Sequence, residues 1–274
     1  MLIHRLPPCC RTAAYGPACE WDLHGKFAGG FSRDTKKRYQ AETGPGSRCS
    51  VKDGIDGTER KPATVTMPVR VKICGITRVE DALDAAHLGA DAVGFVFWRH
   101  SARYLTAENA RDIIDALPPF LTKVGVYVDP DPEWVEETSS LAGLDLLQFH
   151  GDESQEFCRQ FSLPYIKAVR VREGLDLLQY ASLYKGASGL LLDTYIEGEP
   201  GGTGRAFDWD LIPRTLPLPV ILSGGLHPGN VAEAIRRAQP WAVDVSSGVE
   251  AAKGIKDAGK IAALMRGVRT SERL

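Results

Sequence analysis

Short apolar runs of strand length alternate with amphipathic stretches of helical length from Val69 to the C-terminus. After each run, apolar residues recur at the three- to four-residue spacing of a helix face. The pattern predicts eight strand-then-helix units, whose strands are "VRVKICG", "AVGFVFW", "KVGVYVD", "LLQFHG", "YIKAVRV", "GLLLDT", "PVILSGG" and "AVDVSSG". The helix predicted after the sixth strand is "FDWDLIPRTL".

The order of these units predicts a barrel. Repeated strand-helix units form parallel strands with right-handed crossovers, since each helix must cover one face of the sheet. Eight units favour a closed (β/α)8 TIM barrel over an open doubly wound sheet, because closure leaves no edge strand. Two helix starts carry suitable residues, with Thr106 as a cap before "AENA" and with Asp131 before Pro132 at a first helical position. We predict an α/β barrel over residues 67–274.

Residues 1–66 have a different character. They contain clusters of Gly, Pro, Ser and Thr, and they carry 11 Lys and Arg against 7 Asp and Glu, whereas residues 67–274 carry 22 against 28. No helix or strand period is sustained, so we predict an irregular, disordered N-terminal extension. A transit peptide is an alternative that Glu20, Asp22 and Asp34 disfavour. A further alternative is that Met67 is the natural start and that residues 1–66 are not part of the natural protein.

Composition and charge favour a small-molecule partner. The formal net charge of -2 provides no broad basic field for nucleic acid or an anionic membrane. No stretch reaches the roughly 18 to 20 apolar residues of a membrane span, and the first residues lack the apolar centre of a secretory signal. The six cysteines form no paired C-x2-C clusters, so we predict neither a metal site nor a disulfide framework. We expect a cytoplasmic protein.

The first predicted strand ends in a candidate base. The active site of a (β/α)8 barrel lies at the carboxyl ends of the strands, and Cys74 and Gly75 occupy that end of the first strand. Period-two alternation places Lys72 on the same face as Cys74. A nearby ammonium lowers the pKa of a thiol, so we expect a thiolate that can act as a base. The alternative is a small buried apolar residue.

The sixth and fourth strands end in further polar residues. Asp193 is the only charge in "GLLLDT", and a buried carboxylate must be solvated at the mouth or hydrogen-bonded. That position suits a group that holds and donates a proton, whereas a structural aspartate capping the next loop is the alternative. His150 has no second histidine at ligand spacing, so we expect it to line the pocket or to make a hydrogen bond in the core.

Glycine-rich segments follow the seventh and eighth strands. Gly224 and Gly225 leave backbone N–H groups open to a ligand, and Ser247 and Gly248 lie where a short helix would direct its positive end at an anion. Loops after strands seven and eight are the common phosphate site of these barrels. The two motifs together predict a phosphorylated small-molecule substrate, although tight turns would also need glycine.

Two other segments face the same end of the barrel. Arg103 lies between the second strand and its helix, where a guanidinium can hold a carboxylate with two parallel hydrogen bonds. A solvated surface arginine is the alternative. The connection from Ile196 to Trp209, "IEGEPGGTGRAFDW", is long and glycine-rich, which predicts a flexible cover over the site or a disordered insertion.

The motifs taken together resemble the phosphoribosylanthranilate isomerase family. The resemblance runs in the family's order from about Val69 to the last helix, through "VKICGIT", "DAVGFVF", "SARYL", "LLQFHG", "LLLDT", "GGTGRAFDW", "LSGGLHPGNV" and "VDVSSGVE". It implies a (β/α)8 barrel enzyme of tryptophan biosynthesis that needs no cofactor. The implied reaction is the Amadori rearrangement of N-(5-phosphoribosyl)anthranilate to the 1-deoxyribulose 5-phosphate derivative.

The resemblance also implies roles for individual residues. Cys74 would be the general base, Asp193 the general acid and Arg103 the clamp on the anthranilate carboxylate. Backbone groups around the glycine-rich motifs would hold the phosphate, at Gly224, Gly225, Ser247 and Gly248. The family usually has proline where this chain has Ala102, and often at Arg99 too, so we expect a more mobile segment around Arg103.

Other readings remain open from the sequence. A histidine-pathway aminoaldose-ketose isomerase runs the same rearrangement, but its first-strand base is an aspartate where this chain has Cys74. A dual-substrate isomerase is disfavoured for the same reason. A non-catalytic barrel that binds a phosphorylated metabolite would need only the phosphate loops. We expect a monomer, with a homodimer as the alternative.

Overall fold

The computed structural model describes residues 68–194 and 207–271. Its barrel strands are β1 Arg70–Cys74, β2 Ala92–Val96, β3 Thr122–Tyr127, β4 Leu146–Phe149, β5 Tyr165–Val171, β6 Gly189–Thr194, β7 Val220–Leu222 and β8 Ala242–Val245. They pair in parallel in sequential order, and β1 pairs with β8 to close the barrel. The predicted (β/α)8 architecture is confirmed.

The helices of the described residues follow the strands. They are α1 Val79–Leu88, α2 Ala107–Ile114, α3 Pro132–Ala142, α4 Gln155–Arg159, α5 Leu177–Leu183, α6 Val231–Ala238 and α7 Ala258–Ser271. After β8, a 3-10 turn Ser247–Val249 leads into a short antiparallel hairpin, β9 Glu250–Ala252 and β10 Ile255–Lys256. This hairpin was not predicted from the sequence.

The prediction of a helix over "FDWDLIPRTL" is wrong. Only a single 3-10 turn, Trp209–Leu211, forms in that segment. Pro213 has no backbone N–H, and in a helix its ring would clash with the carbonyl four residues earlier. The apolar periodicity is present, but the backbone cannot continue as a helix through it.

The predicted starts of α2 and α3 are where the structure has them. The Thr106 side chain caps α2 by accepting a hydrogen bond from the Asn109 N–H at 3.3 Å. Helix α3 begins at Pro132, and Asp131 holds the cap position without a capping hydrogen bond from its side chain. None of the described helices is both long and apolar enough to cross a membrane.

Alternation along β1 separates the core from the cavity side. Val71 and Ile73 pack in the large apolar cluster with the surrounding helices, such as Ala82 and Ala85 of α1. Cys74, two residues beyond Lys72, belongs instead to a small cluster with side chains of β2 and β3. The predicted N-terminal extension and most of the predicted cover, residues 196–206, lie outside the described residues and stay predictions.

Candidate functional site

A cavity at the carboxyl ends of the barrel strands brings the predicted residues together. Its lining includes residues from β1, β6 and the connections after β2, β7 and β8: Cys74, Arg103, Asp193, Gly224, Gly225 and Ser247. Gly248 does not line it. The candidate base and the candidate acid therefore face one cavity, which is the arrangement that proton transfer on a single small molecule requires.

Cys74 lies beside a buried ion pair. The Lys72 ammonium donates to Asp244 of β8 at 2.9 Å, and each side chain is 6% exposed. Burial raises the pKa of the Cys74 thiol, and Lys72 offsets this only in part, because the Asp244 carboxylate acts on the thiol in the opposite direction. Lys72 lowers the pKa of the thiol as expected, but the net shift is upwards, so the expectation of a lowered pKa is wrong. Asp244 was not predicted as a site residue.

Asp193 lies at one end of a chain of hydrogen-bonded side chains that continues through His150 to Gln148. Its Oδ1 accepts from the Thr194 N–H at 2.8 Å, and its Oδ2 lies 3.1 Å from His150 Nε2. The other ring nitrogen of His150, Nδ1, lies 3.0 Å from the Gln148 side-chain nitrogen. The expectation that His150 lines the pocket or makes a hydrogen bond is confirmed on both counts. A proton can pass between His150 and Asp193 along this contact.

The loop after β4 is held by a second buried ion pair. Lys167 of β5 is fully buried and donates to Glu153 at 2.8 Å and to the Gly151 carbonyl at 2.6 Å. Glu153 in turn accepts from the N–H groups of Gly151 and Asp129. These contacts fix the backbone immediately after His150, so they restrict where its ring can lie.

Arg103 is held by Glu250, which the sequence analysis did not single out. Nε donates to Oε1 at 2.7 Å and Nη2 to Oε2 at 2.8 Å. The hydrogen bonds that Arg103 donates to Glu250 raise the pKa of Arg103. Burial alone would raise the pKa of Glu250, but hydrogen bonds from Arg103 and Lys256 outweigh it, and the pKa is lowered. Both groups are charged at neutral pH.

Three glycines leave space for the three candidate side chains. A Cβ at Gly94 would lie 2.8 Å from Cys74 Sγ, and one at Gly75 would lie 2.3 Å from Arg103 Cδ. A Cβ at Gly224 would lie 2.9 Å from Asp193 Oδ1. Each distance is shorter than packed carbon, oxygen and sulfur atoms allow. A glycine inside a strand often marks such close approach, so Gly94 in "AVGFV" was the sequence feature that could have indicated crowding at this position.

The glycine-rich loops meet at the other side of the cavity. Gly224 and Gly225 have φ of 84° and 62°, in the left-handed region. Within the described residues, their N–H groups and those of Ser247 and Gly248 donate to no partner. A Cβ at Gly248 would lie 1.9 Å from the Leu226 carbonyl oxygen, so Gly248 holds the two loops together. The open N–H groups fit an anion such as a phosphate.

Comparisons of the sequence with known proteins agree on one family. A family model described as N-(5'phosphoribosyl)anthranilate (PRA) isomerase matches residues 71–266. The N-(5'-phosphoribosyl)anthranilate isomerase of Nitrosospira multiformis is 76% identical over 208 residues, which cover 76% of this chain and 100% of that protein. The family match lies within the barrel.

Solved structures of the same description have the same fold. A crystal structure of phosphoribosyl anthranilate isomerase from Thermotoga maritima has a TM-score of 0.68 and 44% identity, and the match covers 74% of this chain and 99% of that chain. A second, in complex with reduced 1-(o-carboxyphenylamino)-1-deoxyribulose 5-phosphate, has a TM-score of 0.65, 44% identity and the same coverage.

Proposed function

The chain belongs to the N-(5'-phosphoribosyl)anthranilate isomerase family, and we propose that it performs this isomerisation by general acid–base catalysis without a cofactor. Its reaction is the Amadori rearrangement of N-(5-phospho-β-D-ribosyl)anthranilate to 1-(2-carboxyphenylamino)-1-deoxy-D-ribulose 5-phosphate in L-tryptophan biosynthesis. Cys74 is the general base and Asp193 the general acid. The observation that carries these roles is that both residues line one cavity at the carboxyl ends of the strands.

The first step opens the sugar ring. Asp193 donates its proton to the furanose ring oxygen while the bond from C1′ to that oxygen breaks, and the lone pair of the anthranilate nitrogen forms a Schiff base. His150, at 3.1 Å from Oδ2, can return a proton to Asp193 after this step. Negative charge develops on the ring oxygen as the bond breaks, and the proton neutralises it. Such general acid catalysis typically raises the rate about 10²- to 10⁴-fold.

The second step removes the proton from C2′. The Cys74 thiolate takes this proton, and the electron pair of the C–H bond moves towards the Schiff base to give an enolamine. The enolamine becomes the ketone as the Cys74 thiol gives its proton to C1′ and the C2′ hydroxyl gives its proton to the Asp193–His150 pair, so Cys74 and Asp193 recover their starting protonation states. The Lys72 ammonium favours the thiolate form of Cys74, which otherwise is disfavoured by burial.

The remaining contacts orient the substrate. Arg103 binds the carboxylate of the anthranilate ring, and the N–H groups of Gly224, Gly225 and Ser247 bind the phosphate. Gly248 contributes indirectly. Because it has no side chain, it packs against the Leu226 carbonyl and lets the loops after β7 and β8 approach each other. Holding both ends of the substrate places C1′ and C2′ between Asp193 and Cys74.

Genetic complementation tests the function directly. The full chain and residues 67–274 alone are each expected to restore growth of a tryptophan auxotroph that lacks this isomerase. Failure of both would contradict the assignment, whereas failure of the shorter chain alone would give the N-terminal region a necessary role. Turnover of both aminoaldose substrates by the purified enzyme separates this activity from the histidine-pathway and dual-substrate alternatives.

Gly94→Ala tests whether the position of Cys74 limits catalysis. We expect kcat to fall about 10- to 100-fold, because a methyl group 2.8 Å from Sγ displaces the thiol, and a displacement near 1 Å is costly at this level. Steady-state kinetics measure the change. Gly186→Ala is the matched control, since its Cβ would make only ordinary contacts of 3.4 Å or more. Equal kcat in both variants would contradict the crowding argument.

The oligomeric state and the location stay predictions. We retain the monomer and the cytoplasm as expectations. The homodimer is the alternative, and Phe120, whose side chain is fully exposed, is a residue that such an interface would cover. Light scattering of the purified protein distinguishes the two states.

A further inference from the structure

Glu250 occupies only one edge of the Arg103 guanidinium. A guanidinium presents two pairs of parallel N–H donors, and the bonds to Glu250 use the pair formed by Nε and Nη2. The second pair, formed by Nη1 and the other Nη2 hydrogen, makes no hydrogen bond to another described residue. Since Arg103 lines the cavity, this second pair is available to a ligand there.

The hairpin after β8 fixes Glu250 itself. Its register places Lys256 opposite Glu250, and Lys256 Nζ donates to Glu250 Oε1 at 2.8 Å. The Gly254 N–H donates to the same oxygen at 3.3 Å. The Lys256 backbone N–H donates to Asp81 of α1 at 2.9 Å, which attaches the hairpin to the barrel. Glu250 therefore cannot follow Arg103 if the arginine moves.

Lys256 also compensates the charge of Glu250. Without it, Arg103 and Glu250 would form a neutral pair that offers little attraction to a carboxylate. The Lys256 and Glu250 side chains are 1% and 6% exposed, so their charges are weakly screened by solvent. Burial lowers the pKa of Lys256 from its ordinary value, although the hydrogen bond and the charge of Glu250 oppose this shift. With Lys256 protonated, the cluster of one carboxylate and two cations carries a single net positive charge beside the cavity.

We propose that Glu250 is the positioning residue for substrate carboxylate recognition, holding Arg103 with its second pair of N–H donors directed at the anthranilate carboxylate. Lys256 supplies the charge that lets a carboxylate bind next to Glu250. This inference rests on the proposed role of Arg103 as the carboxylate clamp. The carboxylate does not change during the reaction, so Glu250 contributes to binding of substrate and transition state alike.

Two inert ligands separate the carboxylate contact from all others. The first is reduced 1-(o-carboxyphenylamino)-1-deoxyribulose 5-phosphate, and the second is the same molecule without the carboxyl group. Calorimetric titration of the unmodified enzyme should show the carboxylated ligand binding about 10- to 100-fold more tightly, as expected for a charge-assisted hydrogen-bonded pair. In Glu250→Gln this preference should fall at least about 5-fold, while the affinity for the ligand without the carboxyl group changes less than about 2-fold.

Control variants make the assignment specific. Glu250→Gln should have no further effect on the preference in an Arg103→Lys background, since the coupling passes through the guanidinium. Lys260 donates to the Glu250 backbone carbonyl at 2.6 Å, so Lys260→Met touches the same residue without touching its carboxylate and should keep the preference. Lys256→Met is a second variant, and it should weaken binding of the carboxylated ligand alone.

Kinetics provide a second readout. An interaction that stabilises the bound substrate and the transition state equally affects KM rather than kcat. Its loss in Glu250→Gln should raise KM about 5- to 10-fold and keep kcat within about 3-fold. Equal weakening of both ligands would overturn the positioning role and leave Glu250 a structural residue. An unmodified enzyme that turns over substrate but shows no preference between the ligands would overturn the Arg103 clamp, and the inference with it, without touching the isomerase assignment.

Discussion

Cys74→Ser is expected to lower kcat at least about 10²-fold, and up to about 10⁴-fold, with the fold retained. The serine hydroxyl fits the space that Gly94 leaves for the thiol, but a hydroxyl loses its proton far less readily than a thiol at the same position. Single-turnover kinetics measure the chemical step directly. Turnover near that of the unmodified enzyme would remove Cys74 from the role of base.

The second cysteine of the barrel supplies a matched control. Cys158 in α4 is completely buried among apolar side chains and does not line the cavity. Cys158→Ala should keep kcat within about 2-fold, because a small apolar residue replaces a thiol that behaves as one. A loss in this variant similar to that in Cys74→Ser would point to general damage to the fold.

The pH dependence of kcat/KM follows from the raised pKa of Cys74. The base must be ionised, and a pKa above the ordinary thiol value of about 8.5 means that the thiolate fraction is still rising at pH 9. Both the unmodified enzyme and Cys74→Asp use the same acid, so the ratio of their kcat/KM values isolates the base. This ratio should increase from about pH 7 to pH 9, because the thiolate fraction rises while the substituted carboxylate stays ionised throughout. A ratio that does not change with pH would contradict the base assignment.

The barrel was predictable because its evidence is local. Each strand is a short apolar run and most helices carry their own periodicity and end signals, as with Thr106 and Pro132. The failure after β6 has an equally local cause, since Pro213 interrupts a segment whose apolar spacing otherwise suits a helix. Periodicity records which face would be buried, and it does not record whether the backbone can form the helix.

Only those site residues that lie at or just after the predicted strand ends could be predicted from the sequence. Cys74, Asp193 and Arg103 follow from position in the barrel, but their partners come from distant segments. Lys72 meets Asp244 because closure places β1 beside β8, and Arg103 meets Glu250 through a hairpin that no sequence period indicated. The sign of the Cys74 pKa shift depends on burial and on Asp244, which the alternation along β1 alone cannot supply.

Asp193→Asn is expected to lower kcat by about 10²- to 10⁴-fold, because an amide has no acidic proton to give to the ring oxygen. Asparagine can keep the hydrogen bonds that the aspartate makes. The Asn oxygen still accepts from the Thr194 N–H, and the Asn nitrogen can donate to His150 Nε2. The His150 ring then carries its proton on Nδ1 and donates it to Gln148. The buried Oε1 of Gln148 has no partner among the described residues, and a flip of the side-chain amide lets it accept this hydrogen bond.

A control at another strand end distinguishes loss of the acid from a change in shape. Asp129 follows β3, lies outside the cavity lining and accepts from the Asp152 N–H at 2.7 Å. Its φ of 44° is one that asparagine also adopts. Asp129→Asn should keep kcat within about 2-fold, and thermal unfolding should show both variants folded. If Asp193→Asn retained a single-turnover rate near that of the unmodified enzyme, ring opening would need another proton donor, and His150, already 3.1 Å from Asp193, would be the group to test next.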